Sequence, residues 1–153
     1  MDTIMHSNQM PRTLMRSLCF ILALGVGSAC QARAKVCSPK DAEAADAAVD
    51  GLDSWTKVER AYKRYGHCDD GSIAEGNSEA VARLLVDHWS TLPLLAQLMK
   101  RDPALKRFVL RHIDTTLDTG DLEKIGRFAA TNCPPGSAPL CRELRQTAAR
   151  AAN

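Results

Sequence analysis

From residue 38 to the C-terminus the apolar residues recur every three or four positions, and no run alternates with a period of two over strand length. That spacing lays them along one stripe of an α-helix, which confines the chain to an all-α fold. Ser38 and Pro39 are a cap and first-turn pair. Ala42, Ala45, Val49, Leu52, Trp55, Val58, Tyr62 and Tyr65 then continue the stripe. Gly51 kinks or breaks this long element, with Asp53 or Ser54 as the new cap, and Gly66 closes it in the left-handed conformation that often ends a helix.

Residues 67–77 form a polar, glycine-containing connection, within which Ser72 and Glu75 have capping-box spacing. The apolar face resumes in Val81, Leu84, Leu85, His88 and Trp89. Thr91, Leu92 and Pro93 open a helix carrying Leu94, Leu95, Leu98 and Met99, and Asp102 and Pro103 cap one carrying Leu105, Phe108, Val109, His112 and Ile113. Asp118 and Gly120 lead into Leu122, Ile125 and Phe128, and Pro139 leads into Leu140, Leu144 and Ala148. Short connections favour antiparallel neighbours, so the expected architecture is a bundle or short stack of about six helices.

The fold is expected to begin only at residue 35. Arg12 and Arg16 precede an apolar run at residues 18–26, too short for the ~20 residues a membrane span needs. A basic flank, a short apolar run and small residues after it are the parts of a secretory signal. Cleavage after Ala32-Arg33-Ala34 leaves Lys35 as the new N-terminus, with residues 35–153 as a single domain; Met10 and Met15 are alternative starts. In a second reading, Gly27-Ser28-Ala29-Cys30 is a lipoprotein signal, and Cys30 anchors the chain to the cell envelope.

Cysteine counting agrees with export to an oxidising compartment such as the periplasm. Without Cys19 and Cys30 an even set remains: Cys37, Cys68, Cys133 and Cys141. Four thiols allow three pairings. Cys37 with Cys68 would tie a helix start to a later turn, and Cys133 with Cys141 would close the Pro134-Pro135-Gly136 turn. Charge changes too: removing Arg12, Arg16, Arg33 and Asp2 from 20 Lys plus Arg and 18 Asp plus Glu leaves 17 of each. A neutral chain lacks the basic footprint of a nucleic-acid binder.

Motifs for chemistry are sparse. His67-Cys68-Asp69-Asp70 with Glu75 is the densest polar constellation, fit for a cation or acid-base work, yet Asp69-Asp70-Gly71 is also ordinary turn chemistry. His88 and His112 hold equivalent places in two apolar faces, near Asp87 and Asp114; each ring is expected to pack in the core and donate one hydrogen bond. No Gly-x-Ser-x-Gly, phosphate-cradling loop or zinc-ligand helix occurs, so neither enzymatic activity nor a cofactor or metal is expected. The Lys100, Arg101, Lys106, Arg107 and Arg111 group reads as a solvated helix surface.

A signal peptide, a mature chain of 119 residues, four cysteines and about six short helices together resemble the periplasmic immunity proteins that protect bacteria from type VI secretion amidases. The likeness is one of architecture. It implies a non-enzymatic binding protein that presses a loop into the active-site groove of a peptidoglycan-cleaving toxin, as a helical dimer. The protruding element would be residues 67–77, with His67, Asp69, Asp70, Glu75 and Asn77, or the 133–141 turn, with Pro135 and Ser137. Competing classes are an envelope assembly factor tethered through Cys30, and a small hydrolase using His67, Asp69, Asp70 and Glu75.

Overall fold

The computed structural model describes residues 35–153; among these it has seven α-helices, two short 3-10 turns and no strand. The helices are α1 (Pro39–Val49), α2 (Trp55–Tyr65), α3 (Gly71–Asp87), α4 (Leu92–Arg101), α5 (Pro103–Arg111), α6 (Thr119–Thr131) and α7 (Ala138–Ala151), with 3-10 turns at Gly66–Cys68 and Trp89–Thr91. The export signal and Cys30 lie outside the described residues. No described helix is long and apolar enough to cross a membrane.

Local chemistry sets most boundaries. Ser38 Oγ accepts from the Asp41 amide at the start of α1, and Asp102 Oδ1 accepts from the Ala104 and Leu105 amides at the start of α5. Gly51 marks a full break between α1 and α2, with Ser54 at the N-cap, which turns about six helices into seven. Gly66 departs from expectation: its φ is −60°, right-handed, and the chain runs on into the 3-10 turn.

The larger correction concerns residues 67–77, which are mostly helix and not a protruding loop. Asp70, in extended conformation, caps α3 by accepting from the Gly71 amide at 2.9 Å, and Gly71 takes φ +52°, a conformation costly for any side chain with a Cβ. Ser72 is not the cap; its hydroxyl reaches Asp46 on α1. Ile73, Asn77 and Ser78 are buried, so packing holds as helix a stretch that composition marks as connection.

The principal core gathers Trp55 and Val58 of α2, Val81, Leu84 and Leu85 of α3, and Leu95 and Leu98 of α4. Leu105 and Val109 of α5, Ile125 of α6 and Leu144 of α7 complete it. Trp55 satisfies its indole N–H at Thr91 Oγ1, 2.9 Å away. A smaller apolar cluster of Ala45, Cys68 and Ile73 seats α1 against α3. Both disulfides pair neighbours in sequence, Cys37 with Cys68 and Cys133 with Cys141. Of the two equivalent histidines only His112 enters the core; His88 caps the C-terminus of α3 and is exposed, because the chain turns there.

The α1 and α3 backbones approach closely at Gly76, where an added Cβ would sit 2.2 Å from Val49 Cγ1. Gly76→Ala is therefore expected to destabilise the protein by about 1–2 kcal/mol, since overpacking outweighs the gain of nearly 1 kcal/mol in helix propensity. Urea denaturation checks this. Val49→Ala in the same chain should recover most of the loss, and a stabilised Gly76→Ala single variant would contradict the packing argument.

Candidate functional site

The densest polar arrangement forms where the disulfide-fixed turn before α3 meets the end of α5. Cys68 is held by Cys37, so the following Asp69 is placed firmly, and only 4% of its side chain is exposed. Asn77, within α3, donates from Nδ2 to Asp69 Oδ1 at 2.9 Å. The Arg111 guanidinium donates to Oδ2. His112, the C-cap of α5, places Nε2 3.2 Å from both carboxylate oxygens, while its Nδ1 lies 2.9 Å from Ser78 Oγ. Phe108 steadies the ring edge-on at 4.4 Å between centroids.

Because a carboxylate only accepts, His112 Nε2 carries its proton toward Asp69. Ser78 donates its hydroxyl to the Ala74 carbonyl at 3.1 Å, and its oxygen lies in reach of His112 Nδ1. Burial raises the Asp69 carboxyl, but hydrogen bonds from His112 and Asn77, the His112 charge and the Arg111 bond outweigh it. The group stays below its ordinary value and remains ionised.

Above this network lies an open hollow of about 260 Å³, to whose lining Asp69, Glu75, Ser78, Arg111, His112 and Asp114 contribute. Glu75 is exposed at its rim. Asp114 is fixed by an Asx turn, its Oδ1 accepting from the Thr116 amide at 2.8 Å and the Thr116 hydroxyl at 2.6 Å.

Serine, histidine and aspartate in hydrogen-bonded order resemble an acyl-transfer triad in residue type only. Ser78 is 2% exposed, and its hydroxyl is engaged by the Ala74 carbonyl within α3 and by His112 at the end of α5. A nucleophile needs an oxygen that a substrate can reach and donors where the oxyanion would form. What this network does is fasten α5 to the start of α3. Among the described residues, no cluster of three or more His, Cys, Asp or Glu is placed to hold a metal.

The structure divides the residues singled out in the sequence. Asp69, Asn77 and Glu75 come together, joined by His112 and Asp114. His67 goes elsewhere: its Nε2 lies 3.2 Å from Asp41 Oδ2, and Lys35 Nζ lies 3.3 Å from the same oxygen. Asp70 is spent on capping α3. Pro135 is exposed in the turn before α7 and Ser137 is buried there, in a second hollow. Sequence reasoning missed Ser78 and Arg111. Ser78 lies three residues before Val81 on the apolar stripe, and a polar side chain on a buried face requires a partner. Arg111 was concealed within the basic run of α5. Compared with known protein families, curated proteins and solved structures, the chain matches none.

Proposed function

We propose that this chain is an exported, non-enzymatic protein that binds a protein partner through the face carrying Glu75, Arg111 and Asp114, and that the partner is a secreted cell-wall-degrading toxin whose active site it covers in the periplasm. The observation that carries the reading is the closed floor of the 260 Å³ hollow: Asp69, Asn77, Ser78 and His112 are bonded to one another, while charged groups stand at the edge. A floor so occupied has little freedom to do acid-base chemistry, but it displays fixed charge. Fixed charge lowers the ordering cost of association and speeds encounter with a complementary surface. The two disulfides support the same reading, since they stiffen both ends of the domain.

The test uses the product of the adjacent reading frame, because an immunity protein must be made alongside its toxin. Mixed with the purified chain, that product should form a stable complex and lose its peptidoglycan-cleaving activity. Glu75→Arg, at an exposed position on the rim, should weaken binding at least ~10-fold, as close charge pairs at interfaces do, while leaving the thermal midpoint nearly unchanged. Undiminished peptidoglycan cleavage, or equal affinity in Glu75→Arg, would reject the proposal.

A further inference from the structure

The geometry points to a second binding site, between the end of α4 and the start of α7, for an extended peptide segment of another protein that carries an aliphatic side chain next to an acidic residue. It is distinct from the Glu75 face and does not depend on the toxin reading. The hollow measures about 240 Å³, with Met99 and Leu140 on its apolar wall and Lys100, Lys106, Ser137 and Glu143 as its polar groups. That is small beside the ~300–1,000 Å³ of sites for drug-sized molecules, and suits a single side chain.

Two polar atoms in this wall have no hydrogen-bond partner among the described residues: Ser137 Oγ and Glu143 Oε2. Ser137 is 1% exposed. It stands at the N-cap of α7 but does not cap it, because its φ of −102° and ψ of 6° depart from the extended conformation of a capping residue. The conformation is imposed from both sides. Gly136 takes φ +79°, and the Cys133–Cys141 disulfide closes the turn around it. Glu143 binds Lys106 Nζ through Oε1 at 2.5 Å, and its Oε2 is a buried acceptor.

A buried hydroxyl that can donate and a buried carboxylate oxygen that can only accept form a complementary pair. The N–H and C=O of one residue in an extended chain point to the same side, the geometry that sheet edges use to recognise added strands. Both atoms are closed to water in the free chain, so the two side chains must first turn into the hollow, a rotamer change common at interfaces; the N–H would then donate to Glu143 Oε2, and the C=O would accept from Ser137 Oγ. An aliphatic side chain would then rest against Met99 and Leu140. Lys100, exposed at the rim, favours an acidic neighbour.

The test is a titration of the isotope-labelled chain, purified as its expressing cell processes it, with acetyl-Gly-Leu-Asp-amide followed by amide chemical shifts. Shifts should centre on Met99, Ser137 and Leu140. Methylating the leucine nitrogen should weaken binding about tenfold, the cost of one lost hydrogen bond. Replacing the peptide's aspartate by lysine should weaken it several-fold. Ser137→Ala should also weaken binding several-fold while raising the thermal midpoint, because it removes a buried hydroxyl that lacks a partner. Shifts that avoid these residues, equal affinity for the methylated peptide, or unchanged binding in Ser137→Ala would each overturn the assignment.

Discussion

Asp69→Ala is expected to lower the stability of the fold by about 2–4 kcal/mol, the range for removing one partner from a buried, hydrogen-bonded ion pair. The figure stays below the upper limit for such pairs because the three groups that bind Asp69 suffer unequally. The Arg111 side chain is 63% exposed and returns to water at little cost. Asn77 and His112 are buried, and each is left with an N–H that has lost its acceptor. Asp69→Asn, whose amide oxygen still accepts, should cost only about 1–2 kcal/mol, close to the value of the lost charge in its hydrogen bonds. Urea denaturation of the three proteins gives the comparison, and equal losses in both variants would show that the charge carries the whole effect and the retained acceptor none of it.

The same pair separates charge from shape as pH is lowered. Asp69 titrates below its ordinary value in the folded state, so the folded state holds its proton less tightly than the unfolded chain does. The stability this gives is present above the ordinary carboxylate range and disappears as pH falls through the lowered folded value. The wild type should therefore lose more stability than Asp69→Asn between about pH 5 and the acid limit of the fold. Asp41 and Asp53 are also lowered, Asp41 first by His67 and Asp53 first by Lys57; both remain in each protein, and the difference between the two curves isolates Asp69.

The second large effect belongs to the Cys37–Cys68 bridge, which closes 31 residues of sequence. Restriction of the unfolded chain over such a loop is worth about 3.7 kcal/mol, against about 2.6 kcal/mol for the shorter Cys133–Cys141 loop. Cys37→Ala with Cys68→Ala should thus be the more damaging pair, and its damage should be greatest in α1. α1 rests on the small cluster of Ala45, Cys68 and Ile73, apart from the principal core. Hydrogen exchange should show amides in α1 left less protected than those of Val81 and Leu85, which report the loss in global stability. Equal protection of α1 and the middle of α3 in the double variant would contradict this.

How far each element was legible follows from how local its cause is. Caps such as Ser38, Asp102 and Asp118 act within three residues, and the apolar stripes repeat within one helix, so both are readable by spacing. The disulfides were legible because they join consecutive cysteines. The polar network was not, since its contacts cross the chain: Asp69 and His112 are 43 residues apart, and Ser78 and His112 are 34 apart. Only the buried position of Asn77 and Ser78 at the head of the α3 stripe pointed to it. His88 and His112 show the same limit from the other side. Their spacing within an apolar face is alike, yet the chain turns away at one and meets an aspartate at the other.

The pairing of consecutive cysteines also bears on the history of each molecule. For a chain that leaves a pore N-terminus first, residue 37 waits only for residue 68 before its bridge can close, and residue 133 waits only for residue 141. Among the described residues neither bridge encloses part of the other and no cysteine must pass over an earlier one. Thiols joined in their order of arrival are already joined correctly, so the route to the finished molecule contains no obligatory exchange of partners.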